Sequence, residues 1–117
     1  MYARITHMIL IISKKATESE LKQMSQDFGG EYIKVVVDAH RKILAGGGER
    51  HVDAEQFLLK DGSNQKDLWG GGIDPNTKEI DYNSMINLRP SQGNSSRDVL
   101  SSDIQKKMDK IIKNLLL

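Results

Sequence analysis

Two stretches carry the side chains that could do chemistry. The first is Glu49-Arg50-His51-Val52-Asp53-Ala54-Glu55, in which Glu49, His51, Asp53 and Glu55 stand at alternate positions. Imidazole and carboxylate oxygen are what a divalent cation takes from a protein, and His51, Asp53 and Glu55 are also the residue types that move protons. The spacing is not specific to either role. A helix start explains the same acids, with Asp53 as the cap and Glu55 as a first-turn acid favoured by the helix dipole, and leaves His51 as a hydrogen-bonded neighbour.

The second stretch is Ser84–Asp98, "SMINLRPSQGNSSRD". Asn87 and Arg89 close an alternating segment; Ser91, Gln92 and Asn94 follow in a loop of small polar residues; Arg97 stands beyond it. A concave run of backbone N–H groups beside a guanidinium is chemistry that holds phosphate or carboxylate. No lysine follows a glycine there at Walker spacing. A plain surface loop would use the same residues, with Arg89 and Arg97 paired to carboxylates such as Asp98. Trp69, the one tryptophan, precedes Gly70-Gly71-Gly72. It reads as a core indole, while the glycines let backbone or ligand come close and could line a cleft with Gly46-Gly47-Gly48. Nothing marks a nucleophile: there is no cysteine and no Gly-x-Ser-x-Gly, and a Ser91–His51–acid triad rests on no spacing argument.

The elements that must position these residues follow from local signals. Met8-Ile9-Leu10-Ile11-Ile12 reads as a buried strand, and Met8 offers a second start that would leave residues 1–7 as a loose extension. Thr17-Glu18-Ser19-Glu20 is a capping box, Leu21, Met24 and Phe28 share one face, and Gly29-Gly30 stops the chain, which predicts a helix over 18–28. Ile33–Val37 and Lys42–Ala45 form a hairpin about the turn 38–41. Asp53 caps a second helix through Gln56, with Val52 and Phe57 as a hydrophobic staple and Phe57, Leu58 and Leu59 inward. Leu68–Ile73 is a strand, Asp74–Thr77 a turn, and Ile80–Arg89 a strand by its alternation. Ser102-Asp103-Ile104-Gln105 caps a last helix whose Ile104, Met108, Ile111, Ile112 and Leu115 form an apolar stripe. The order β-α-β-β-α-β-β-α predicts one α+β domain over 1–117, a two-layer sandwich with a mostly antiparallel sheet and three helices.

Composition narrows the function. The 117 residues carry 17 basic and 16 acidic side chains, for a net charge of +1, and 5% aromatics. That argues against a nucleic-acid partner, although Arg89, Arg97 and the last helix's lysines leave weak binding as a third reading. Lys106, Lys107, Lys110 and Lys113 read as a solvated face. The absence of cysteine fits a reducing cytoplasm. The five-residue run at 8–12 falls well short of the ~20 residues that span a bilayer, so no membrane partner is expected. Leu115-Leu116-Leu117 cannot all face one stripe, which predicts a leucine exposed or at an interface and supports a homodimer or accessory interaction module.

The segments "KVVVD" (34–38), "LAGGGERHVDAEQFLL" (44–59), "DGSNQKDLWG" (61–70) and "SMINLRPSQGNSSR" (84–97) resemble a small prokaryotic family of unknown function. Its pattern runs Gly-Gly-Glu-x-His-x-Asp-x-Glu, then Gly-Ser and Leu-Trp-Gly, then Ile-Asn-Ile-Arg-Pro-Ser-Gln-Gly-Asn; Leu88 replaces the second isoleucine here. The resemblance runs from Leu21 to the last helix and implies a shared fold and site with no reaction or cofactor attached. The positions it carries over are Glu49, His51, Asp53, Glu55, Trp69, Asn87, Arg89, Gln92 and Asn94. Together these readings favour a small anionic ligand held in a polar cleft by Arg89 and the Ser91–Asn94 loop, with His51, Asp53 and Glu55 as acid–base or metal-binding groups.

Overall fold

The structure, a computed structural model, describes residues 9–117; Met8 and the extension 1–7 lie outside them. Strands β1 (Leu10–Ile12), β2 (Ile33–Asp38), β3 (Ile43–Gly46), β4 (Leu68–Ile73) and β5 (Ile80–Asp81) form one antiparallel sheet in the order β1-β3-β2-β4-β5. Helices α1 (Glu18–Met24), α2 (His51–Lys60) and α3 (Ser102–Leu116) complete an α+β fold in the expected order. The expected two layers become three, because helices cover both faces of the sheet. Val35, Val37, Leu44 and Trp69 pack with Met108, Ile111 and Ile112 of α3 and Met24 of α1. Val36, Ile43, Ala45 and Leu68 pack with Ala54 and Leu58 of α2. A strand buried on both sides needs apolar residues at successive positions, which is why Val35-Val36-Val37 does not alternate.

The capping box at Thr17 is present in both directions, Glu20 N–H to Thr17 Oγ1 at 3.1 Å and Thr17 N–H to Glu20 Oε1 at 2.9 Å. The predicted helix over 18–28 is broken at Ser25, and Gln26–Phe28 continues it as a tighter 3₁₀ turn ending at Gly29, φ 63°. The second cap is a correction. Helix α2 begins at His51, with Arg50 as N-cap and no side-chain cap bond. Asp53 instead takes the Arg50 guanidinium, Nη2 to Oδ1 at 3.0 Å, so its carboxylate is engaged by charge. Val52 and Phe57 are both exposed and form no staple. At α3 the cap moves back one residue: Ser101 accepts from Ile104 N–H, and Gln105 donates its amide to Val99 O at 2.7 Å.

The long strand predicted over Ile80–Arg89 is also corrected. Only Ile80–Asp81 pairs with β4; a 3₁₀ turn follows at Met85–Asn87 and another at Pro90–Gln92. The chain then returns beside itself, with antiparallel bridges at Asn83–Asp98 and Arg89–Asn94. The exposed leucine expected at the end of α3 is not found. Leu115 and Leu116 are buried, and the partly buried Leu117 packs on the same core, because the last turn of α3 lies against the chain at Ala16, whose N–H bonds Leu115 O at 2.8 Å. The sequence argument for a homodimer therefore loses its premise.

Candidate functional site

The Ser84–Asp98 segment is held by two buried asparagines. Asn87 Oδ1 accepts from Gly70 N–H at 2.8 Å, while Asn87 Nδ2 donates to Gly70 O at 2.9 Å, Arg97 O at 3.0 Å and Tyr82 O at 3.1 Å. The side-chain amide thus pairs with Gly70 as a peptide unit of a neighbouring strand would, just where β5 has ended. Asn94 Nδ2 donates to the carbonyls of Asn87, Ser96 and Asp98, and its Oδ1 accepts from Leu100 N–H. Burial of such polar side chains is stable only because their bonding capacity is filled.

Arg89 is engaged too. Its guanidinium lies 4.1 Å from the centroid of the Trp69 ring. It donates to Gln65 O at 2.7 Å, to Gln92 Oε1 at 3.2 Å and to Leu68 O. Gln92 in turn reaches Lys66 O at 3.1 Å. Burial lowers the Arg89 pKa, and the Glu55 carboxylate opposes that shift. Ser91 is exposed on the turn beyond. Arg89, Gln92 and Asn87 therefore bind the loop to β4 and its approach, Asn94 braces the loop internally, and the hydrogen bonds of all four side chains go to protein groups.

The acidic stretch is dispersed. Successive helical residues turn by about 100°, so alternate positions diverge. Glu49 is exposed ahead of the helix, Asp53 pairs with Arg50, and Glu55 is buried. Among the described residues no group of three or more His, Asp or Glu side chains is arranged to hold a metal ion.

What the structure does gather is a cleft of about 390 Å³ on the α2 face of the sheet, lined by the side chains that cover the glycines of β4. Gly70 and Gly72 lie on the α2 face, where Lys34 is the partner of Gly72 in the β2–β4 register. A Cβ on Gly72 would fall 1.8 Å from Tyr32 Oη, and one on Gly70 2.5 Å from Ser84 Cβ and 3.2 Å from His51 Cδ2. Only glycine leaves room for these side chains to descend onto the sheet. Lys34 and Tyr32 come from β2 and its approach, His51 and Val52 from the first turn of α2, Asp81, Ser84 and Met85 from β5 and the turn after it, and Arg97 from the returning chain. Of the residues singled out from sequence, His51 and Arg97 meet here; Arg89, Ser91, Gln92, Asn94 and Trp69 do not line the cleft.

The cleft's electrostatics are uneven. His51 Nε2 lies 2.6 Å from Gly71 O. A carbonyl can only accept, so Nε2 carries the proton and Nδ1 keeps its lone pair. Burial is the main cause of a lowered His51 pKa, with Lys34 adding to it, so the ring is neutral near pH 7. Tyr32 donates to Asp81 Oδ2 at 2.6 Å; burial first, then that bond and the carboxylate charge, raise the phenol's pKa. Among the described residues the ion pairs are Arg41–Asp61 and Arg50–Asp53, so neither Lys34 nor Arg97 is in one. Val52 and Met85, 39% and 63% exposed, give the rim an apolar side.

Sequence reasoning missed Tyr32, Lys34, Asp81 and Ser84. Lys34 did leave a signal: it is the one charged residue inside an otherwise apolar run, Ile33–Val37, and only an opening in the packing accommodates it there.

Fold and site together define a small α+β protein with a polar cleft on the α2 face of its sheet. Residues 10–115 match the family described as "Protein of unknown function (DUF5674)", and the chain belongs to it. Comparison with curated proteins and with solved structures finds no match. Among the described residues no helix is long and apolar enough to cross a membrane.

Proposed function

We propose that the chain binds a small anionic molecule, through a phosphate or carboxylate group, in the cleft lined by Lys34, His51 and Arg97. The observation that carries this reading is the convergence of Lys34, His51 and Arg97 from three separate elements on one cavity. Lys34 and Arg97 supply positive charge outside any ion pair among the described residues. In this reading the neutral His51 would use Nδ1 to accept from a hydroxyl or N–H on the ligand. The volume falls in the range of small-molecule sites, about 300–1,000 Å³. The Arg89 loop enters this proposal as the support that fixes Arg97: Arg97 O accepts from Ser84 N–H and from Asn87 Nδ2, both at 3.0 Å.

Thermal unfolding followed by Trp69 fluorescence tests the reading, with small monocarboxylates as probes. An anion at about 100 times its Kd stabilises by about 2.7 kcal/mol. Arg97→Ala and Lys34→Ala should each remove that shift, and Ser91→Ala, on the exposed turn, should keep it. A shift lost in Ser91→Ala and kept in Arg97→Ala would put the anion on the loop and refute the cleft, as would no shift with any probe.

A further inference from the structure

A second concavity lies on the opposite face of the sheet, between the β2–β3 turn and α3, with a volume of about 510 Å³. Lys42 lines it from the turn, and Lys107 and Lys110 line it from the helix. Positions 107, 110, 111 and 114 of α3 recur at helical spacing, so one stripe of the helix forms the wall. Asp67 is the one carboxylate in the lining, against three ammonium groups. Ala39 and Ile111 make an apolar floor. None of the three lysines is in an ion pair among the described residues. Lys42 moreover sits at φ 62°, a left-handed backbone where glycine or asparagine is the low-strain residue.

We propose that this groove is a second ligand site, distinct from the His51 cleft, for a small phosphorylated molecule carrying at least two negative charges. Three lysines from two elements line one concavity, so an anion seated there meets positive charge from both sides. Lysines on flexible stems act as point charges suited to the many oxygens of phosphate, whereas planar bidentate capture of a carboxylate favours arginine. The apolar floor and Asp67 then face the organic part of the ligand, Asp67 as an acceptor for its hydroxyl or amino groups. A nucleic-acid strand fits less well: the groove is one pocket, no Phe, Tyr or Trp lines it, and the whole chain is only +1.

Pyrophosphate is the probe. Titration by calorimetry, with amide chemical shifts read in parallel, should move residues 39–42 and 107–114. Lys107→Glu with Lys110→Glu should weaken binding by about tenfold or more, and Arg97→Ala should leave this site unchanged. The charge-matched control is Lys106→Glu with Lys113→Glu, exposed positions of α3 outside the groove; it should keep affinity within about twofold, because exposed charges beyond the contact are screened by salt. Equal losses in the two double variants would mean a diffuse field and would overturn the proposal. Shifts confined to residues 32–34 and 97, no binding, or displacement of pyrophosphate by a single-stranded oligonucleotide at equal phosphate concentration would overturn it too.

Discussion

Replacing Asn87 by alanine should be among the most damaging single changes to this fold, although Asn87 is polar and belongs to a loop. Its side chain is fully buried and holds four backbone groups: Gly70 N–H at 2.8 Å, Gly70 O at 2.9 Å, Arg97 O at 3.0 Å and Tyr82 O at 3.1 Å. A methyl group satisfies none of them. An orphaned buried N–H costs about 1–3 kcal/mol, and each lost amide-to-carbonyl bond about 1 kcal/mol net. The two N–H donors of Asn87, shared among the three carbonyls, bring the expected loss to about 3–5 kcal/mol, a large share of the ~5–15 kcal/mol that stabilises an ordinary domain. With unfolding entropy near 2.1 cal/mol/K per residue, that corresponds to a fall of about 10–20 °C in Tm. Urea unfolding followed by Trp69 fluorescence measures it directly, because Trp69 adjoins Gly70. Asn83→Ala is the control: Asn83 is exposed and gives one bond, Nδ2 to Asp98 Oδ1 at 2.7 Å, so its loss should stay below about 1 kcal/mol. Asn87→Asp should do no better than alanine, since a carboxylate keeps the shape but turns acceptor oxygens toward three carbonyls. If Asn87→Ala matched Asn83→Ala, the claim that a side-chain amide extends the sheet past β5 would be refuted.

Two further outcomes follow from the same geometry. The His51 pKa is lowered from its ordinary 6.5 by burial. The unfolded chain therefore binds the proton more readily, so His51's contribution to stability is complete above pH 6.5 and is lost as pH falls through the folded-state pKa; His51→Gln should flatten that part of a stability–pH curve, and an unchanged slope would contradict the buried neutral ring. Leu116, 3% exposed, should cost about 2–5 kcal/mol on truncation to alanine, measured by denaturant midpoint. A loss of self-association with little loss of stability would show instead that the final turn of α3 is an interface.

The parts of the fold that were legible were those fixed by neighbours in sequence. The Thr17–Glu20 box closes within four residues, and the reading was right. The cap at Ser102 was off by one because Ser101 and Ser102 are equally able acceptors, and the choice depends on where Val99 O receives the Gln105 amide. At Asp53 the cap motif was real in composition, but Arg50 stood three residues earlier and took the carboxylate. The alternation over Ile80–Arg89 misled for a deeper reason: a strand and a braced 3₁₀ turn can share a polar–apolar pattern, and what decides between them is whether Gly70 meets a backbone or a side-chain amide. Arg89 is the clearest case for the site. Its type and place said anion, yet its partners are Trp69 and the carbonyls of Gln65 and Leu68, more than twenty positions upstream in two of the three cases. Nothing local reveals such contacts.

The glycines of β4 connect the two halves of the problem. A central strand without side chains is costly, since glycine gives up packing and conformational entropy together. Here the bare backbone is used on both faces at once. On the α3 face the Gly71 position lies against the Asp81 carbonyl and the Met108 side chain, where a Cβ would come within 2.3 Å and 3.1 Å of them. On the α2 face Gly70 and Gly72 let Ser84, His51 and Tyr32 lie on the sheet, and Lys34 stands across from Gly72. Asn87 and His51 in turn supply side-chain partners for backbone groups of Gly70 and Gly71. Valines would stabilise an ordinary core strand, but at all three positions a Cβ would meet atoms already there: Ser84 at Gly70, the Asp81 carbonyl at Gly71 and the Tyr32 hydroxyl at Gly72. Close packing therefore selects the three glycines, and at Gly70 and Gly72 it also seats Ser84, His51 and Tyr32 where they line the cleft.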